Sequence, residues 1–64
     1  MQIEIETIEN GRRVTIDTLN ADIIFIAQIN EVASLWPTYK IHLHTLNTHL
    51  THEYRDKQLK IIYR

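Results

Sequence analysis

The sequence predicts an α+β domain of ββαββ order: a four-stranded, mostly antiparallel sheet with one helix packed across one face. Three observations carry this expectation. Eleven isoleucines and seven threonines against three alanines favour pleated structure over a helical bundle. Two strong turn signals, Asn10-Gly11 and Trp36-Pro37, divide the chain into two β-like flanks around one segment of helical periodicity. The 64 residues leave room for a single domain, residues 1–64, because so short a chain buries only about 60 % of the surface it exposes when unfolded.

The first hairpin rests on Asn10-Gly11, a pair suited to a two-residue type I′ turn because that turn needs positive φ at both central positions. With those residues at the tip, Glu9 faces Arg12, Thr7 faces Val14, Ile5 faces Ile16 and Ile3 faces Thr18. The other face sets Glu4 against Asp17, a like-charge pair that calls for a nearby cation.

Asn20 stands at an N-cap position, Asp22 falls in the positive first turn, and Leu19 is placed to staple against Ile24. The spacing predicts a helix from there to Leu35 or Trp36, ended by Pro37. Phe25, Ile29, Val32 and Trp36 form its core stripe, which leaves Ile23, Ile24, Ile26, Ala27 and Leu35 as surplus apolar surface. That surplus, with Trp36 as an aromatic anchor, is the expected interface with another chain.

Lys40 to Leu46 alternates as a strand, with Ile41, Leu43 and Thr45 on one face and Lys40, His42, His44 and Leu46 on the other. The phase then shifts, as a bulge near Asn47 or Thr48 would allow. A turn at Arg55 to Gln58 sets Tyr54 opposite Leu59, His52 opposite Ile61 and Leu50 opposite Tyr63. The rival is a terminal helix from about Thr48, giving ββαβα, supported by Glu53 with Lys57 and Asp56 with Lys60 at i, i+4 spacing.

Hairpin, helix of about four turns and hairpin without cysteine form a layout that resembles the β-grasp arrangement of ubiquitin-like and small immunoglobulin-binding bacterial domains. Met1-Gln2-Ile3 before a hairpin is similar to the start of ubiquitin-like chains. Ile61-Ile62-Tyr63-Arg64 carries no diglycine tail, so no functional residue is taken over. The resemblance implies that the first and last strands lie side by side and parallel in the middle of the sheet, with Glu4 and Glu6 beside Lys60 and Arg64.

Candidate chemistry is sparse. His42 and His44 share a strand face at a spacing that metal sites use, but zinc needs three or four converging ligands. His49 would lie roughly 16 Å further along an extended strand, so no metal and no other cofactor is expected. Ser34 is the sole serine, cysteine is absent, and Glu4, Glu6 and Asp17 sit on an open face, so no enzyme activity is expected. Charge is asymmetric: residues 1–31 carry −4 and residues 40–64 carry +3. Lys40, Tyr54, Arg55, Lys57, Lys60 and Arg64 are the candidates for single-stranded nucleic acid, as the second reading. A net charge of −1 works against sequence-independent phosphate binding.

The first reading is a small protein-binding regulatory or inhibitory module that forms a homodimer. Chains of this class include phage or mobile-element proteins that block a host defence complex. The longest apolar run, Ile23 to Ala27, is far below the roughly 20 residues of a membrane span. With no cysteine and no signal-peptide pattern, a cytoplasmic protein without membrane contact is expected.

Overall fold

The structure, a computed structural model describing all of residues 1–64, contains six strands and no helix. They are β1 (Gln2–Glu9), β2 (Arg12–Asn20), β3 (Ile23–Ile29), β4 (Thr38–His44), β5 (His49–Tyr54) and β6 (Leu59–Tyr63). Two three-stranded antiparallel sheets form, in the orders β2-β1-β6 and β3-β4-β5. The fold is therefore all-β, which overturns both the ββαββ layout with its β-grasp resemblance and the ββαβα rival. No helix is long and apolar enough to cross a membrane.

The predicted helix is the main correction. Its first half is β3, and the rest, residues 30–37, is an irregular connection with a turn closed by Ser34 N–H donating to the Glu31 carbonyl at 3.2 Å. β-Branched side chains lose rotamer freedom in a helix and fit a pleated surface. As a strand, the segment turns Ile24 and Ile26 onto the core and sends Ile23, Phe25 and Ala27 outward. Asn20 closes β2 instead of capping a helix, and Pro37 leads into β4.

The Asn10-Gly11 turn forms with φ of 50° and 77°, and from it Glu9 pairs with Arg12 and Thr7 with Val14. Beyond Glu6 the register slips: Glu6 pairs with Thr15 but Ile5 with Asp17, leaving Ile16 as the extra residue of a β-bulge. The bulge changes the expected pairing of Ile5 with Ile16 and Ile3 with Thr18. It brings Leu19 opposite Ile3 and Thr18 opposite Glu4, which removes the Glu4–Asp17 conflict.

β6 does lie beside β1, but antiparallel, with Ile3 opposite Tyr63 and Thr7 opposite Leu59. Arg64 forks onto Glu4 through Nε at 3.2 Å and Nη2 at 3.0 Å, and Lys60 is the register partner of Glu6. β5 pairs with β4, not with β6, so the expected second hairpin is replaced by a chain reversal at Thr45–Thr48. The Arg55–Gln58 turn carries the chain from one sheet to the other, with Asp56 in the left-handed region at φ 57°.

Between β2 and β3 the chain passes from one sheet to the other at Ala21-Asp22. Ala21 exchanges hydrogen bonds with Met1, donating at 3.0 Å and accepting from the N-terminal ammonium at 2.8 Å, while Asp22 N–H donates to the His44 carbonyl at 3.0 Å. Between the sheets lie Ile3, Ile5, Leu19, Ala21, Ile41 and Leu43, with Ile16, Ile24, Ile26, Tyr54, Leu59 and Ile61 packed against them. Thr7 is buried as well, its hydroxyl donating to the Gln58 carbonyl at 3.0 Å.

Candidate binding surface

Alternation along β3, β4 and β5 gives their sheet an outward face of three cross-strand rows. Ile23, His44 and His49 form the first, Phe25, His42 and Thr51 the second, and Ala27, Lys40 and Glu53 the third. The β3 end of each row is apolar and the β5 end polar. Phe25 is 59 % exposed and Ile23 51 %, values that leave most of both side chains in water.

The imidazoles fill the middle of this face. His44 and His49 stack with centroids 4.1 Å apart and planes within 9°, while Phe25 and His44 form a T-shaped pair with centroids 5.7 Å apart. His42 lies 5.7 Å from His49, and its Nδ1 is 3.1 Å from Thr51 Oγ1. The tight turn at Thr45–Thr48 brings His49 directly across from His44, so the separation expected along an extended strand is corrected. Stacked rings hold their nitrogens in parallel planes, whereas a zinc site needs lone pairs aimed at one point. No group of three or more His, Cys, Asp and Glu side chains has metal-binding geometry.

The sequence-derived interface residues separate. Ile23 and Ala27 lie on this face, Leu35 is exposed in the following loop, and Ile24 and Ile26 point into the core. Trp36 lines a groove of about 280 Å³ with Thr7, Ile8, Glu9, Asp56, Lys57 and Gln58. Phe25, Ile29 and, in the following loop, Val32 are exposed residues that helical projection hid, because it placed them on a core stripe. Periodicity cannot assign the uninterrupted run Ile23–Ala27, and its three β-branched isoleucines were the signal for a strand.

Three of the six nucleic-acid candidates have side-chain partners within the chain. Arg55 pairs with Glu53, Arg64 with Glu4, and Tyr54 donates to Asp17 Oδ2 at 2.7 Å. Lys40 and Lys60 have Glu53 and Glu6 as register partners, and Lys57 lies at the Trp36 groove. Burial, then the bond to Asp17 and its charge, hold the Tyr54 phenol above its ordinary range.

Comparison with known proteins returns no relative: no family model matches the chain, and no curated protein or solved structure matches it significantly.

Proposed function

We propose that this protein is a small protein-binding module whose contact surface is strand β3 and the apolar end of the sheet face beside it. One observation carries this reading. β3 is an edge strand, its seven residues include no charge and no proline, and Ile23, Phe25 and Ile29 are exposed on it. Natural sheets protect their edges with charge, proline, bulges or covering segments, because unpaired strand groups recruit other strands. An edge without charge or proline and with large apolar side chains in water has the character of an interaction site.

The partnering of Arg55, Arg64 and Tyr54 within the chain favours protein binding over the nucleic-acid alternative. A chain without cysteine forgoes disulfides, which fits regulatory or inhibitory binding in the cytoplasm.

Affinity capture with wild type, Phe25→Lys and Ile8→Lys tests the reading. Ile8 is an exposed apolar residue of the other sheet and serves as the control. A captured protein, another copy of this chain included, should be lost with Phe25→Lys and kept with Ile8→Lys. Capture unaffected by Phe25→Lys, or no capture by wild type, overturns it.

A further inference from the structure

We propose that the occupant of the β3 edge is β3 of a second copy of this chain, paired antiparallel about a twofold axis at Ile26. Resting on the protein-binding reading above, it names the partner. The result is a continuous six-stranded sheet of order β5-β4-β3-β3-β4-β5 across two subunits.

The strand is complementary to itself in this register. Ile23 falls opposite Ile29 of the second copy, Ile24 opposite Gln28, and Ile26 opposite itself. Phe25 falls opposite Ala27 and Ala27 opposite Phe25, so the ring on each outward face finds a small neighbour across the axis. Centring the axis on Phe25 instead would set ring against ring and leave Ile29 without a strand partner.

Charge selects the same edge and is compatible with the register. Between Asp22 and Glu31 the chain carries no charged residue, and centring on Ile26 sets Asp22 opposite Asn30 and Glu31 opposite Ala21. No acid therefore meets an acid. The other three edge strands all carry charge: β2 has Arg12, Arg13 and Asp17, β5 has Glu53 with two histidines, and β6 has Lys60.

The monomer also has reason to associate. Only 8 of 64 residues are buried, a small core for a chain with neither disulfide nor metal to reinforce it. A seven-residue edge alone is less than the usual dimer interface of about 1,200–2,000 Å². Val32 and Leu35, 107 % and 82 % exposed in the loop that follows β3, provide further apolar surface at its end.

Sedimentation velocity across the micromolar range, on wild type and Ala27→Lys, reads the assembly directly. Wild type should dimerise, and Ala27→Lys, which puts two ammonium groups near the axis, should weaken dimerisation roughly tenfold or more. Ala27 is exposed in the monomer, and circular dichroism checks that the variant folds. Register is read by oxidising a mixture of Phe25→Cys and Ala27→Cys, which should give the mixed disulfide in preference to either symmetric one. A monomeric wild type overturns the proposal while leaving the capture experiment to decide whether β3 binds a different protein. A dimer indifferent to Ala27→Lys, or symmetric disulfides in preference to the mixed one, overturns it as well.

Discussion

The Tyr54 hydroxyl donates a 2.7 Å hydrogen bond to the Asp17 carboxylate and so ties β5 of one sheet to β2 of the other. The bulge in β2 makes this possible. With Ile16 as the extra residue, Ile16 packs on the core and its neighbour Asp17 reaches Tyr54, an arrangement that strict alternation would forbid. Tyr54→Phe should lower unfolding free energy by about 1–2 kcal/mol, the cost of leaving a partly buried carboxylate without its donor. Asp17→Asn keeps an acceptor and should cost less. Urea denaturation measures both, and equal stability of Tyr54→Phe and wild type would show that the bond contributes nothing.

The same bond sets a response to alkali. The folded protein holds the Tyr54 proton above the ordinary phenol range, whereas the unfolded chain releases it near the usual value of about 10. A raised folded pKa means that this contribution is complete below about pH 10 and declines as pH climbs further. Tyrosinate absorbance of wild type should show a delayed fraction that is absent from Tyr54→Phe. Identical titrations beyond the loss of one chromophore would contradict the assignment.

Ile5 and Ile41 are wholly buried and belong to opposite sheets. Ile5→Ala should cost about 2–5 kcal/mol and Ile5→Val about 0.5–1.5 kcal/mol. Small domains have only about 5–15 kcal/mol in total, so the alanine variant should be substantially less cooperative or unfolded at room temperature. Thermal denaturation of the pair would show whether the loss follows the volume removed.

Gly11 adopts φ +77° with no atom within 4 Å of where a Cβ would stand. The substitution Gly11→Ala therefore meets no clash with its surroundings, and its penalty comes from the left-handed backbone alone, about 1–2 kcal/mol. A matched change at Asn10, Asn10→Gly, keeps the turn accessible and should have little effect. Chemical denaturation of both variants separates backbone strain from side-chain contacts.

The stack of outward histidines can be read directly. His44 and His49 face each other with ring centroids 4.1 Å apart and planes within 9°, so each ring lies in the shielding zone of the other. His49→Gln removes one ring and should move the His44 ring proton signals downfield in NMR spectra at fixed pH. Unchanged His44 signals would exclude the stack.

Local chemistry made the first hairpin and β4 legible. Asn10-Gly11 carries its turn in two adjacent residues, and Ile41 and Leu43 alternate with His42 and His44 wherever the strand is placed. Arg64 beside Glu4 was implied only by the β-grasp resemblance with parallel strands; the contact forms instead from an antiparallel β6. Within the candidate surface, Ile23 and Ala27 were singled out for their apolar surplus, although on a helix that does not form, while Phe25 and Ile29 were hidden by the same projection.

By itself, then, the sequence determined what depends on neighbours a few residues apart: a β-rich composition, one tight turn and the inward and outward faces of two strands. Only tertiary structure decided the state of Ile23–Ile29, since five bulky apolar residues in seven satisfy a helical stripe and a strand face alike until β4 supplies a ladder. It also decided that β5 joins β4 while β6 joins β1, and that Ile16 bulges. Strand partners are chosen by contacts as distant as Ile3 with Tyr63, and the free energy of such pairing lies in burying a shared core that no local window of residues contains.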